Sequence, residues 1–167
     1  MNQQTLLRIV AIGAVAGMRT MTAPALVAAY LRQQSARTTE GSPFQWLGTK
    51  EVGTVLALLA AGELAADKIP DIPARIAAGP LLGRAASGAL SGAALSEAEG
   101  EPAATGAALG AAAAVFSAFA MYHLRRAAGE IVGLPDPLLA VLEDALALRG
   151  GSGVLGIASP LQPRGFL

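Results

Sequence analysis

The chain of 167 residues has no cysteine, a single histidine and few aromatic residues, and each shortage closes off a class of function. Without cysteine there is no disulfide framework, no thiolate nucleophile and no zinc-thiolate site, and nothing marks the redox compartment. His123, alone, cannot build a multi-histidine metal centre, and at the end of an apolar run it reads as an interfacial side chain. Charge is also scarce: 14% of residues are Asp, Glu, Lys or Arg, against about 25% in an ordinary soluble domain. Twelve basic and twelve acidic residues cancel, which removes the basic face that a nucleic-acid partner requires. Glycine-rich stretches lie inside apolar segments and none follows a strand in the pattern that cradles a phosphate, so no cofactor is expected.

What is present is apolar length. From Pro102 to Leu124 run twenty-three residues without one Asp, Glu, Lys or Arg, closed by Arg125 and Arg126. At about 1.5 Å per residue the run covers the roughly 30 Å hydrocarbon core of a bilayer, and the Arg pair falls where long basic side chains reach head groups. A buried hairpin of a soluble bundle is the competing reading, because alanine dominates the run. The overall balance, with 53% hydrophobic residues and a mean hydropathy of +0.51, favours lipid. The expectation is one helical transmembrane domain over residues 1–150 with an irregular tail over 151–167.

The first apolar segment, Leu6 to Leu31, is long enough to cross but is interrupted by Gly17-Met18-Arg19-Thr20, with Pro24 soon after. It lacks the cleavage pattern of a secretory signal and reads as retained. Two readings stand. Either two half-helices meet at a break, the second capped by Thr22 with Pro24 in its first turn, or the span ends near Arg19 and an interfacial helix follows. A break inside a bilayer must face protein or water, which turns Arg19 inward.

A polar loop from Arg32 to Lys50, with Phe44 and Trp46 as aromatic anchors, leads to a second span from about Val52 to Ile69, ended by Pro70 and Pro73. The segment from Leu81 to Leu95 carries small residues at four-residue intervals, Gly83, Ser87 and Ser91 on one row and Gly88 and Gly92 on another. Gly106, Gly110, Ala114 and Ala118 repeat the device in the next span. Such rows let helix backbones approach closely, which drives association in lipid. The two segments are expected to form a tight hairpin around the acidic turn Glu97 to Pro102, and the same rows permit a homo-oligomer. A last helix is expected from Asp136 to Leu148, stopped by Gly150, Gly151 and Gly153.

Gly62-Glu63-Leu64 leading to Ile69-Pro70-Asp71-Ile72-Pro73 is weakly echoed by Gly129-Glu130-Ile131 leading to Leu134-Pro135-Asp136-Pro137, the outline of an internal repeat. Three blocks also resemble the bacterial integral membrane proteins grouped as DUF4126. They are Gly17-Met18-Arg19 with Pro24, Glu63-Leu64-Ala65-Ala66-Asp67-Lys68-Ile69-Pro70, and Leu134-Pro135-Asp136-Pro137 followed by Leu142-Glu143-Asp144-Ala145-Leu146-Ala147. The resemblance spans most of residues 11–148. The linker after Pro73 is shorter than in the family, and Leu142 stands where Ala usually precedes the acidic pair. The resemblance implies a bacterial inner-membrane, multi-pass location and supplies no chemistry.

Ionisable side chains inside a bilayer cost about 2.5–3.5 kcal/mol each on insertion scales and face the protein interior. Glu63 and Asp67 lie one helical turn apart on one face. Glu143 and Asp144 are adjacent, so only one can point into the same cavity. Glu143 shares a face with Leu139 and Leu146, and Asp144 with Ala140 and Ala147. Arg19, Lys68 and Arg84 are the counter-charges. The expected architecture is thus an all-α, small polytopic membrane protein with broken or partial helices. Arg19, Glu63, Asp67, Lys68 and one of Glu143 and Asp144 form its candidate ion- or substrate-binding site. Three functions fit: a transporter or channel for a small ion or solute, a membrane scaffold whose charges are structural pairs, and a lipid-headgroup enzyme holding Mg2+ on its carboxylates.

Overall fold

In the computed structural model, residues 1–34, 41–66, 77–129 and 136–157 are described. Among them there is no strand. The helices are α1 (Gln3–Met18), α2 (Thr22–Gln33), α3 (Lys50–Ala66), α4 (Ala78–Ala98), α5 (Ala103–Ala127) and α6 (Asp136–Leu155), with a 3-10 turn at Gln45–Gly48 before α3.

The hairpin of α4 and α5 is the spine. Gly92 faces Gly106 and Gly88 faces Gly110 so closely that a Cβ on any of the four would run into the opposing backbone. Helix α1 lies against both: a Cβ on Gly13 would come within 2.6 Å of the Gly110 carbonyl oxygen, and Gly17 abuts Ala114, Ser117 and Ala118. Backbone-to-backbone approach of this kind is available only to glycine and supplies dispersion contact without large side chains. Gly83, expected in the same packing, is not part of it and has open space where a Cβ would stand. A four-residue row on a helix drifts by about 40° per step, so Gly83 lies roughly 80° around from Ser91 and rotates out of the contact face.

The interruption at residues 17–21 is a reversal of direction. Helix α1 starts where α4 ends, with Arg8 reaching Glu99 at 2.6 Å and the amino terminus reaching Glu101 at 2.9 Å. Helix α2 begins beside Ser87, which donates to the Thr20 carbonyl, and climbs to Tyr30, whose hydroxyl donates to the same Glu99. The two half-helices therefore form a folded-back pair, with both outer ends on one side. Gly17 packs beside Ser117, which puts the reversal roughly 20 Å from the start of α5 and about 15 Å from its end. Helix α3 starts at the outer side, with Gly53 beside Ala28 and Arg32, and descends until Glu63 meets the reversal. Helix α6 runs antiparallel to α5 and rises past Arg19 to set Gly151 against Leu26, Val15 and Ile12.

That last contact explains why α6 does not stop at Leu148 as its glycines led us to expect. Gly151 lets α6 approach α1 and α2, and the packing outweighs the roughly 1 kcal/mol helix penalty of each glycine. The helix ends instead at Gly156, at φ +64°, with the Ile157 N–H donating to the Ser152 carbonyl at 3.0 Å in a Schellman-type closure.

Beside an apolar core that includes Ile9, Ile12, Val15, Val27, Leu31 and Leu95, the bundle buries several polar side chains and exposes several large apolar ones. Leu7, Val55, Leu58, Leu82, Phe116 and Leu146 are exposed, whereas Thr5, Arg19, Thr22, Arg84, Ser87, Ser91, Ser96, Ser117 and Glu143 are buried, and Arg19 is the largest fully buried side chain. Among the described residues one helix, α5, is long and apolar enough to cross a membrane, by length and composition.

Candidate functional site

A reversal in the middle of a packed bundle leaves backbone groups that must find partners away from water. The chain supplies them from three other helices, α3, α4 and α5. Carbonyls at the end of α1 accept from α4 and α5: Arg84 Nη1 donates to the Met18 oxygen at 2.9 Å and to the Gly17 oxygen, and Ser117 Oγ donates to the Ala14 oxygen at 2.9 Å. Ser87 covers the Thr20 oxygen, and the Arg19 N–H closes on Val15 at 2.7 Å. On the other flank, the Glu63 carboxylate of α3 accepts from the Thr20 N–H and the Met21 N–H, both at 2.7 Å. A cation thus meets the negative end of α1 and an anion the positive end of α2, as the two helix dipoles favour.

Between these flanks Arg19, extended in backbone and 1% exposed, is ion-paired with Asp144 of α6. Arg19, Glu63 and Asp144 therefore converge on three consecutive residues, 19–21. Glu143 does not join them. It is buried on the neighbouring face of α6, 3.8 Å from Arg125, and borders an apolar cavity of about 180 Å³ with Met121, Leu124, Leu139, Leu142 and Leu146. Adjacent residues on a helix point about 100° apart, and this angle decides which acid meets Arg19. Asp67 and Lys68, and Pro70 and Pro73 after them, lie outside the described residues.

Thr22, expected to cap α2, makes no capping bond; it occupies the first helical position, with Met21 as the cap residue. The carboxylate of Glu63 takes that capping role from a different helix. Pro24, in the first turn, has no N–H to satisfy and fits there unstrained. The hydroxyls of Thr22 and Ser91 are buried without a hydrogen-bond partner among the described residues. Arg84, expected as a counter-charge, and Ser87, expected in a packing row, lie three residues apart on α4 and share the face that covers the reversal, where both donate to backbone carbonyls.

A second polar cluster sits at the outer side, where Glu99 accepts from Arg8 and Tyr30, and Gln34 donates to the Tyr30 hydroxyl at 2.9 Å. It ties the ends of α1, α2 and α4 together. No group of three or more His, Asp or Glu side chains is placed to hold a metal ion among the described residues.

The chain belongs to the DUF4126 family, described as a domain of unknown function, whose match extends over residues 6–162 and so takes in both half-helices, the Glu63 block and the acidic pair on α6. No curated protein and no solved structure matches it.

Proposed function

We propose that this DUF4126 protein is a multi-pass inner-membrane protein that carries or conducts a small ion or solute through a site at the α1–α2 reversal. The observation that carries the reading is the pairing of buried Arg19 with half-buried Asp144 beside a reversed, discontinuous helix, in a bundle that exposes large apolar side chains. Non-helical backbone at bilayer depth is tolerated where it faces protein or a polar cavity, and broken helices meeting near the midplane are the usual way a small transporter builds its site. The buried hydroxyls of Thr22 and Ser91, which have no hydrogen-bond partner among the described residues, add polar capacity in the same interior, of the kind a water or a small solute satisfies. Asp67 and Lys68, following Glu63 on the chain, are assigned to the same site.

The test is flux into proteoliposomes over a panel of cations, protons and small anions, with wild type, Glu63→Gln and Asp144→Asn at equal reconstitution. Flux in the wild type that either substitution abolishes is the expected result. A well-folded wild type with no flux for any member of the panel overturns it. One observation favours a scaffold in that event: Glu63 and Arg84, which meet the backbone of residues 17–21, are themselves protein groups, which is what purely structural charges would provide. Assembly should then survive neutralisation of the carboxylates. A homo-oligomer, packed through the remaining small-residue surface, is compatible with both.

A further inference from the structure

We infer that Glu63 is a proton-operated clasp: ionised, it holds the inner end of α3 against the reversal, and on taking up a proton it releases α3 and uncovers Arg19. The inference rests on the permeation reading and deepens it, naming the proton as the ion that controls access to the site.

Helix α3 lies at the margin of the bundle. Its outward side chains Val55, Leu58 and Leu59 are exposed and a Cβ on Gly62 would meet nothing, whereas Val52 and Leu56 pack against the core, Ala60 is buried, and the packing partners are chiefly α2 and the 3-10 turn. At its inner end the described attachment is polar and concentrated in one side chain. Both Glu63 oxygens accept, one from Thr20 and the other from Met21. An ionised carboxylate can do this because it is acceptor-only on both oxygens. Once a proton from solvent forms an O–H bond on one oxygen, that oxygen presents a donor to a backbone donor, and at least one of the two N–H groups loses its partner. The remaining bond is neutral rather than charge-assisted and about half as strong. An unpaired backbone N–H at this depth favours rearrangement that brings water or a solute to it.

Among the described residues, the charged groups at the reversal have partners other than Glu63. Arg19 at the reversal is paired with Asp144 from α6, and Arg84 from α4 is bound to the Gly17 and Met18 carbonyls. Lys50 and Glu51 on its own helix, and Arg32 on α2, lie at the outer end of α3. The clasp is thus the contact between α3 and the reversal whose acceptor count changes on protonation.

The absence of cysteine makes the test direct. Spin labels on Leu58→Cys of α3 and Phe116→Cys of α5, both on exposed positions, report the separation of α3 from the spine in reconstituted full-length protein. Distance distributions are recorded from about pH 8 to about pH 4. One narrow distance at high pH, with a second, longer population growing as pH falls, is expected. In Glu63→Gln, which cannot accept on both side-chain heteroatoms, the longer population should be present throughout and insensitive to pH. A wild-type distribution unchanged over the range overturns the clasp, as does a Glu63→Gln protein that keeps the wild-type pH response. The wild-type series decides the matter even if the variant does not fold. Because the distances are read without flux, a pH-dependent opening in a protein that transports nothing would retain the clasp and remove the permeation reading. Flux with a fixed distance would do the reverse.

Discussion

Replacing Gly13 by alanine should destabilise the protein, while the same replacement at Gly83 should stabilise it. Both are non-terminal positions of α-helices, where alanine is favoured over glycine by about 0.8–1.0 kcal/mol. At Gly83 the new methyl meets open space, so most of that gain should be realised, about 0.5–1 kcal/mol. At Gly13 the methyl carbon would stand 2.6 Å from the Gly110 oxygen, 2.8 Å from the Ala113 Cβ and 3.0 Å from the Gly110 Cα. None of these atoms can rotate aside. Helices α1 and α5 must separate by several tenths of an ångström or more, which stretches the Ser117–Ala14 hydrogen bond and loosens the Gly17 contact one turn on. Overpacking of this kind costs about 1–3 kcal/mol, which exceeds the propensity gain and leaves a net loss of roughly 1–2 kcal/mol. Thermal unfolding in one detergent, followed by circular dichroism, should show midpoints moving in opposite directions, by about 2–4 °C per kcal/mol for a chain of this length. A Gly13→Ala protein as stable as the parent, or both variants shifting alike, would refute the claim that the spine depends on backbone-to-backbone approach.

Three further outcomes follow from the geometry. Arg19→Met should destabilise by about 3–5 kcal/mol because it leaves Asp144 without its ion partner, and Arg19→Met with Asp144→Leu should recover a substantial part; a double-mutant cycle without coupling would contradict the pair. Arg84→Met should cost about 1–3 kcal/mol for each of the two carbonyls it strips, measured by denaturant unfolding in detergent, and a neutral result would mean that the carbonyls are satisfied otherwise. Phe116→Lys tests the solvent of α5: at a 76% exposed position within the apolar run it should cost about 2.5–3.5 kcal/mol of membrane insertion and lower the membrane-bound fraction, whereas fully retained insertion would argue that this face meets water.

Much of this was legible in the chain. The apolar run before Arg125 became α5, the small residues Gly88, Gly92, Gly106 and Gly110 became its contact with α4, and Gly17 to Thr20 with Pro24 marked an interruption. The faces of α6 were legible too: Ala140 and Ala147 are buried on the side where Asp144 meets Arg19. These features follow from local rules, namely the 3.6-residue period, the intolerance of lipid for charge and the size of a side chain. What was not legible depends on neighbours. Thr22 looked like a cap, and a carboxylate forty-two residues away took the role because α3 delivers it to the Met21 N–H. The glycines of α6 looked like a stop, and contact with Leu26 and Val15 made one of them a packing surface.

The sequence by itself determined that the chain is helical, apolar outside its ends, closely packed through glycine and interrupted at Arg19. Only the tertiary structure decided that the interruption is a reversal, that Glu63 and Arg84 close it, and that Asp144 rather than Glu143 pairs with Arg19. The physical reason is that a buried backbone group or charge requires a partner but does not specify which one, and the choice falls to whichever side chain the glycine contacts bring within reach.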